Sequence, residues 1–208
     1  MDKVTVPTPS VEEVKYYLDV WKALENYSLQ ESSLDKLFLR TYPLNKELDD
    51  VLIKVCALNE FYSTNIFNPF AIAKHIVNLN IDESLKNDNL DLVNRIALVK
   101  MKDNKNYNFY SFATKYCSHH KPTIYPIYDS FVEKMLLYFK KRDGFSEFSK
   151  DDLHSYSKFR DILMKFREFY GLQQFSLKEI DQYLWQIGKK YFPRIYKKKG
   201  TEETNKTS

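Results

Sequence analysis

The chain has 208 residues, with 32 Lys and Arg against 28 Asp and Glu, so its net charge is +4. That length allows a sizeable core, and the mild positive excess permits contact with nucleic acid. Four glycines, none before Gly144, exclude a P-loop, a dinucleotide-binding loop and a Gly-x-Ser-x-Gly elbow, while two cysteines exclude a disulfide framework and a four-cysteine zinc site.

The elements follow in chain order. Met1–Ser10 is polar and reads as no signal peptide, so a cytoplasmic setting is expected. Ser10 and Glu13 form a capping box ahead of Val11, Val14, Tyr17, Leu18, Trp21 and Leu24 at helical spacing. Leu34, Leu37 and Phe38 mark a short helix that ends before Pro43. Asn45 is expected to cap a third, striped by Leu48, Val51, Leu52, Val55 and Leu58. Asn68–Pro69 opens a fourth, and Asp88 is expected to cap the next, through Ala97. "KMKDNKN" (100–106) reads as a charged loop, and another helix spans about Tyr107 to Ser118.

Pro122 and Pro126 hold the chain extended. Asp129 then caps a helix with Phe131, Val132, Met135, Leu136 and Phe139 on its apolar face. A helix near Leu153–Tyr170 stops at Gly171, and Ser176 with Glu179 caps the last one, which breaks before Pro193. No apolar run approaches ~18 residues, so no membrane span is expected. The fold class is all-α, a compact bundle of about nine or ten helices. It forms a single domain over 1–196, with room for two helical lobes around a cleft near Lys115 and Asp129. A basic, polar tail, 197–208, is expected to be disordered.

Chemistry concentrates in "SFATKYCSHHKPTIYPIYD" (111–129). Cys117, His119 and His120 do not offer the i, i+4 pair that helical zinc sites use, and a second ligand cluster is absent, so no metal and no other cofactor is expected. A Cys–His nucleophile would need its two side chains on one helix face, and the spacing separates them. Lys115 lies near the end of one helix and Asp129 at the start of the next. An αα-hairpin through the prolines can bring them into one cleft, where a desolvated lysine becomes a nucleophile and the aspartate stabilises positive charge. On spacing alone, a snorkelling lysine and a plain N-cap aspartate fit as well.

At these residues the chain resembles the 8-oxoguanine DNA glycosylase fold of the helix-hairpin-helix glycosylase superfamily. That fold is all-α, with a Schiff-base lysine on one helix and a catalytic aspartate at the start of the next, after a proline-containing link. "FATKYCSHHKPTIYPIYDSFV" is similar to that arrangement. More narrowly, "LNEFYSTNI" (58–66) and residues 111–130 resemble a bacterial branch assigned to this fold. The resemblance implies Lys115 and Asp129 as catalytic residues and DNA as partner. It also implies excision of a damaged or modified base through a lysine Schiff base, with a possible lyase step. Phe112, Tyr116, His119, Tyr125 and Tyr128 are then the candidates for holding an extruded base. The basic stretch with Lys189, Lys190, Lys197, Lys198 and Lys199 is the candidate DNA-backbone contact. The superfamily's hairpin glycines are absent from "NYNFYSFAT", and the Lys115–Asp129 spacing is shorter than is usual, which keeps Lys102 and Lys105 as alternative nucleophiles. A non-catalytic helical module binding nucleic acid or protein is the other reading.

Overall fold

The computed structural model describes residues 5–101 and 105–193. Its elements are α1 (Val11–Ala23), α2 (Glu25–Lys36), α3 (Leu48–Tyr62), α4 (Pro69–Leu79), α5 (Asp82–Lys86), α6 (Leu92–Ala97), β1 (Leu98–Lys100), β2 (Asn106–Asn108), α7 (Tyr110–His120), α8 (Ser130–Asp143), α9 (Tyr156–Phe169) and α10 (Leu177–Tyr191). The chain is mostly helical, as its apolar periodicity implies.

Several helix starts fall where cap chemistry places them. The Glu13 N–H donates to Ser10 Oγ over 3.2 Å at α1, the Ala71 N–H to Asn68 Oδ1 over 3.1 Å at α4, and the Phe131 N–H to Asp129 Oδ1 over 2.8 Å at α8. Ser176 and Glu179 close a reciprocal box at α10. Each satisfies amides that would otherwise lack a partner.

Other boundaries differ, for local reasons. Asn45 does not cap α3, whose N-cap is Glu47. It is buried instead, with Oδ1 accepting from Lys54 Nζ at 2.6 Å and from the Tyr116 hydroxyl at 2.6 Å. Asp88 does not cap α6. It takes a left-handed φ of 55° and pairs with Lys121. The short helix around Leu34 is longer than expected, running from Glu25 and finishing in a π-helical turn, Leu37–Thr41. The expected loop 100–106 is flanked by an antiparallel hairpin that pairs Leu98 with Asn108 and Lys100 with Asn106. Three-residue strands are too short to show an alternation along the sequence. That hairpin joins α6 to α7.

The strongest packing falls into two groups. One joins α3 to α4 and α6 to α7; the other joins α10 to α8 and α1. In the second group Gly188 admits the α8 backbone. A Cβ there would meet Phe131 Cβ at 2.8 Å and Phe131 O at 2.9 Å. No helix among the described residues is long and apolar enough to cross a membrane.

Candidate active site

Lys115 sits on α7, only 3% exposed. Its Nζ donates to Ser111 Oγ at 2.5 Å and to the Ser111 carbonyl at 3.4 Å, and lies 5.3 Å from the centroid of the Tyr62 ring. Ser111 Oγ in turn donates to the Tyr128 carbonyl at 3.1 Å. That bond is one of several that fix the link between α7 and α8. The Tyr128 N–H donates to Thr114 Oγ1 at 3.2 Å, the Ile127 N–H to Asp181 Oδ2 at 2.7 Å, and the Tyr156 hydroxyl to the Pro126 carbonyl at 2.9 Å. Asp129 is therefore held from both sides. One carboxylate oxygen caps α8, and the other, Oδ2, lies 3.9 Å from Lys115 Nζ.

Both residues line one cleft at the seam of the two packing groups, with a volume of about 230 Å³. That is below the roughly 300–1,000 Å³ of drug-sized sites and suits a single planar group. The wall opposite Lys115 comes from α10, where Lys178, Asp181, Gln182 and Trp185 recur at i, i+3, i+4 and i+7. Glu31 on α2 ties this wall together. It accepts from Trp21 Nε1 at 2.9 Å, from Gln182 Nε2 at 3.2 Å and from Lys178 Nζ at 3.2 Å. Trp21, Tyr27 and Trp185 pack mutually, with centroids 5.4 to 5.6 Å apart, and form an aromatic side of the cleft.

The electrostatics are those of charges removed from water. Burial pushes the Asp181 carboxyl up to about 7, although Lys178 and the Ile127 N–H pull the other way. Burial opposes the Lys178 ammonium, yet the oxygens of Tyr62, Asp181 and Glu31 outweigh it and hold the group charged. Burial raises the Tyr62 phenol to about 12.

The structure brings Lys115 and Asp129 together and takes four expected base-binding residues elsewhere. Phe112 and Tyr116 pack in the core behind α7, where the Tyr116 hydroxyl donates to Asn45. Tyr125 is buried with its hydroxyl on the Asn89 carbonyl, 3.1 Å away. The Tyr128 hydroxyl is taken by Glu133 and by His154. All four rings pack inside the core, and the three tyrosine hydroxyls find their polar partners there, so none faces the cleft. His119 lies one layer behind, with Nε2 3.1 Å from the Tyr62 hydroxyl and Nδ1 3.5 Å from Asp35. Cys117 is wholly buried, and burial pushes its thiol up. Burial, with Lys54 adding to it, holds His120 well below the usual histidine range. No group of three or more potential metal ligands occurs among the described residues. Lys105 is exposed and away from the cleft, and Lys189 and Lys190 lie at the end of α10. Lys102, Lys197, Lys198, Lys199 and the rest of the expected tail lie outside the described residues.

Sequence reasoning missed Glu31, Tyr62, Lys178, Asp181 and Trp185. One signal was present: the polar and aromatic stripe from Lys178 to Trp185 runs beside the apolar stripe of Ile180, Leu184 and Ile187 on a single helix.

Comparison with known proteins places the chain among relatives. Residues 13–124 match a family model described as HI_0787_N, N-terminal domain. A Haemophilus influenzae protein described as uncharacterised is 47% identical over 148 residues, which is 71% of this chain and 70% of that one. No solved structure matches the chain significantly.

Proposed function

The chain belongs to the HI_0787_N family, and we propose that it excises a damaged or modified base from DNA with Lys115 as the nucleophile. The observation that carries this reading is the 3.9 Å approach of Lys115 Nζ to Asp129 Oδ2 in a cleft sized for one planar group. An extruded nucleotide enters the cleft, and its base lies against the Trp21, Tyr27 and Trp185 rings. Lys115, as the neutral amine, forms a bond to C1′ of the sugar. The C1′–N bond to the base breaks, and its electron pair leaves with the base, which takes up a proton from solvent. Asp129 stabilises the positive charge that develops on the sugar and accepts the proton shed by the attacking nitrogen. The C1′–O4′ bond then breaks as the proton on Asp129 passes to O4′, which opens the sugar ring and leaves a protonated Schiff base. Loss of a C2′ proton from it expels the 3′ phosphate and cleaves the strand.

Borohydride reduces such a Schiff base to a stable amine. The expected result is a covalent adduct between the chain and DNA carrying one of a panel of lesions and modified bases, lost in Lys115→Gln. No adduct with any member of the panel refutes the reading. A second reading, a module that binds nucleic acid without chemistry, draws support from the 2.5 Å bond that engages Lys115 with Ser111. It predicts salt-sensitive DNA binding with no adduct.

A further inference from the structure

Trp185 and Tyr27, which help to wall the cleft, also wall a shallow open groove between α1 and the end of α10. Rings and lysines alternate along it. Lys189 Nζ lies 4.8 Å from the Trp185 ring and 5.1 Å from the Tyr27 ring, and donates to the Tyr27 hydroxyl at 2.8 Å. Lys190 Nζ lies 5.6 Å from the Tyr17 ring and donates to the Tyr17 hydroxyl at 3.1 Å. Tyr16 is 59% exposed and stands edge-on to Tyr17, with centroids 5.2 Å apart. No carboxylate lines the groove among the described residues. Beyond Lys190 the sequence adds Arg194, Lys197, Lys198 and Lys199, with no acid between Trp185 and Gly200.

Cations at the end of a helix satisfy its dipole whatever their use. That does not account for an exposed tyrosine beside them, nor for ammonium groups folded back onto rings at a loss of side-chain freedom. Positive charges held on buried or half-buried rings beside one exposed tyrosine suit a ligand that carries regular negative charge and flat unpaired rings. We propose that this groove binds a single-stranded polynucleotide. Its phosphates meet Lys189 and Lys190, and a base stacks on Tyr16. Because Tyr27 and Trp185 belong to both surfaces, the bound strand is the one that leads into the cleft. The proposal rests on the nucleotide reading of the cleft only for that direction.

The test is fluorescence anisotropy of the intact chain with labelled oligo(dT) and oligo(rU) over a range of salt. The slope of log affinity against log salt should fall in the double variant Lys189→Gln/Lys190→Gln by roughly 1.4, about 0.7 for each phosphate that is no longer neutralised. Tyr16→Ala should weaken binding on the order of tenfold and leave the slope unchanged. All three residues are exposed, and a Tm equal to that of the wild type checks that each variant keeps the fold. Either oligonucleotide binding in this way supports the proposal, and the tighter one identifies the preferred sugar. Variants that bind like the wild type overturn it, as does a polyglutamate peptide that binds as tightly as oligo(dT). The two proposals fail separately. Oligonucleotide binding through these residues without a borohydride adduct removes the lysine chemistry and keeps the groove. An adduct with unaltered binding in the variants keeps the chemistry and removes the groove.

Discussion

Asp181 is the sharpest place to perturb the cleft. It is 4% exposed, and its carboxyl is pushed up to about 7 from 3.8, first by burial. A raised carboxyl means that the folded chain binds more protons than the unfolded chain between those two values. Stability therefore falls as pH rises through that window, and the whole cost is present above about 7. Three pH units at 1.36 kcal/mol each set an upper bound of about 4 kcal/mol. Asp181→Asn removes the charge and keeps an oxygen to accept the Ile127 N–H, now bonded at 2.7 Å. Lys178 loses one partner but retains Glu31 at 3.2 Å, which takes back part of the gain. The expected net effect is a stabilisation of about 2 kcal/mol at pH 8, or roughly 4–8 °C in Tm for a chain of this size. Thermal unfolding of both proteins from pH 4 to 8 measures it, with the difference near zero at the acid end. A variant equally or less stable at pH 8, or a difference that does not grow with pH, refutes the argument.

Three further outcomes follow. Asp129→Asn keeps a good N-cap for α8, so its Tm should stay close to the wild type, while borohydride trapping falls on the order of a hundredfold. Equal trapping by both proteins would leave Asp129 a cap alone. Gly188→Ala drives a methyl group to 2.8 Å from Phe131 Cβ and 2.9 Å from its carbonyl oxygen, so urea unfolding should show a loss of about 1–3 kcal/mol. Burial lowers the Lys54 ammonium to about 8 from 10.5, so the folded chain binds fewer protons in that interval and stability rises with pH across it. The difference between wild type and Lys54→Met in urea midpoint should grow over the same interval, and a flat difference would count against this.

What could be read from the chain depended on how far each signal extends along it. Asn68–Pro69, Asp129 and the Ser176–Glu179 box act within one helical turn, and they open helices where expected. The approach of Lys115 to Asp129 was also legible, because the proline link between them is local. Asn45 shows the opposite case. As a residue type it suits a cap, but its partners are Asp82, Tyr116 and His120, and those contacts exist only after α3, α5 and α7 have packed. Tyr116, Tyr125 and Tyr128 mislead for the same reason. Their nearness to Lys115 in sequence says nothing about which way a helix or an extended link turns each ring. The far wall of the cleft comes from α2 and α10, at opposite ends of the chain, and nothing local announces that Glu31 meets Lys178.

The composition of that wall bears on why the cleft exists. Replacing a buried ion pair by apolar side chains of similar volume is often neutral or stabilising, so a core selected only for stability would fill this seam with leucine and phenylalanine, as it does elsewhere around Phe139 and Phe166. Here Lys115, Asp129, Lys178, Asp181 and Glu31 surround open volume instead. Asp181 is held at a free-energy cost that the pH titration above measures directly. Its carboxyl also fixes the Ile127 N–H, and with it the backbone that presents Asp129 to Lys115. The Asp181 oxygen on the far wall therefore helps to position the two residues proposed to react. Asp181→Leu, which removes the acceptor oxygen, should accordingly disturb trapping more than Asp181→Asn, which keeps it. Comparing Asp181→Asn with Asp181→Leu separates the effect of the charge from that of the hydrogen bond.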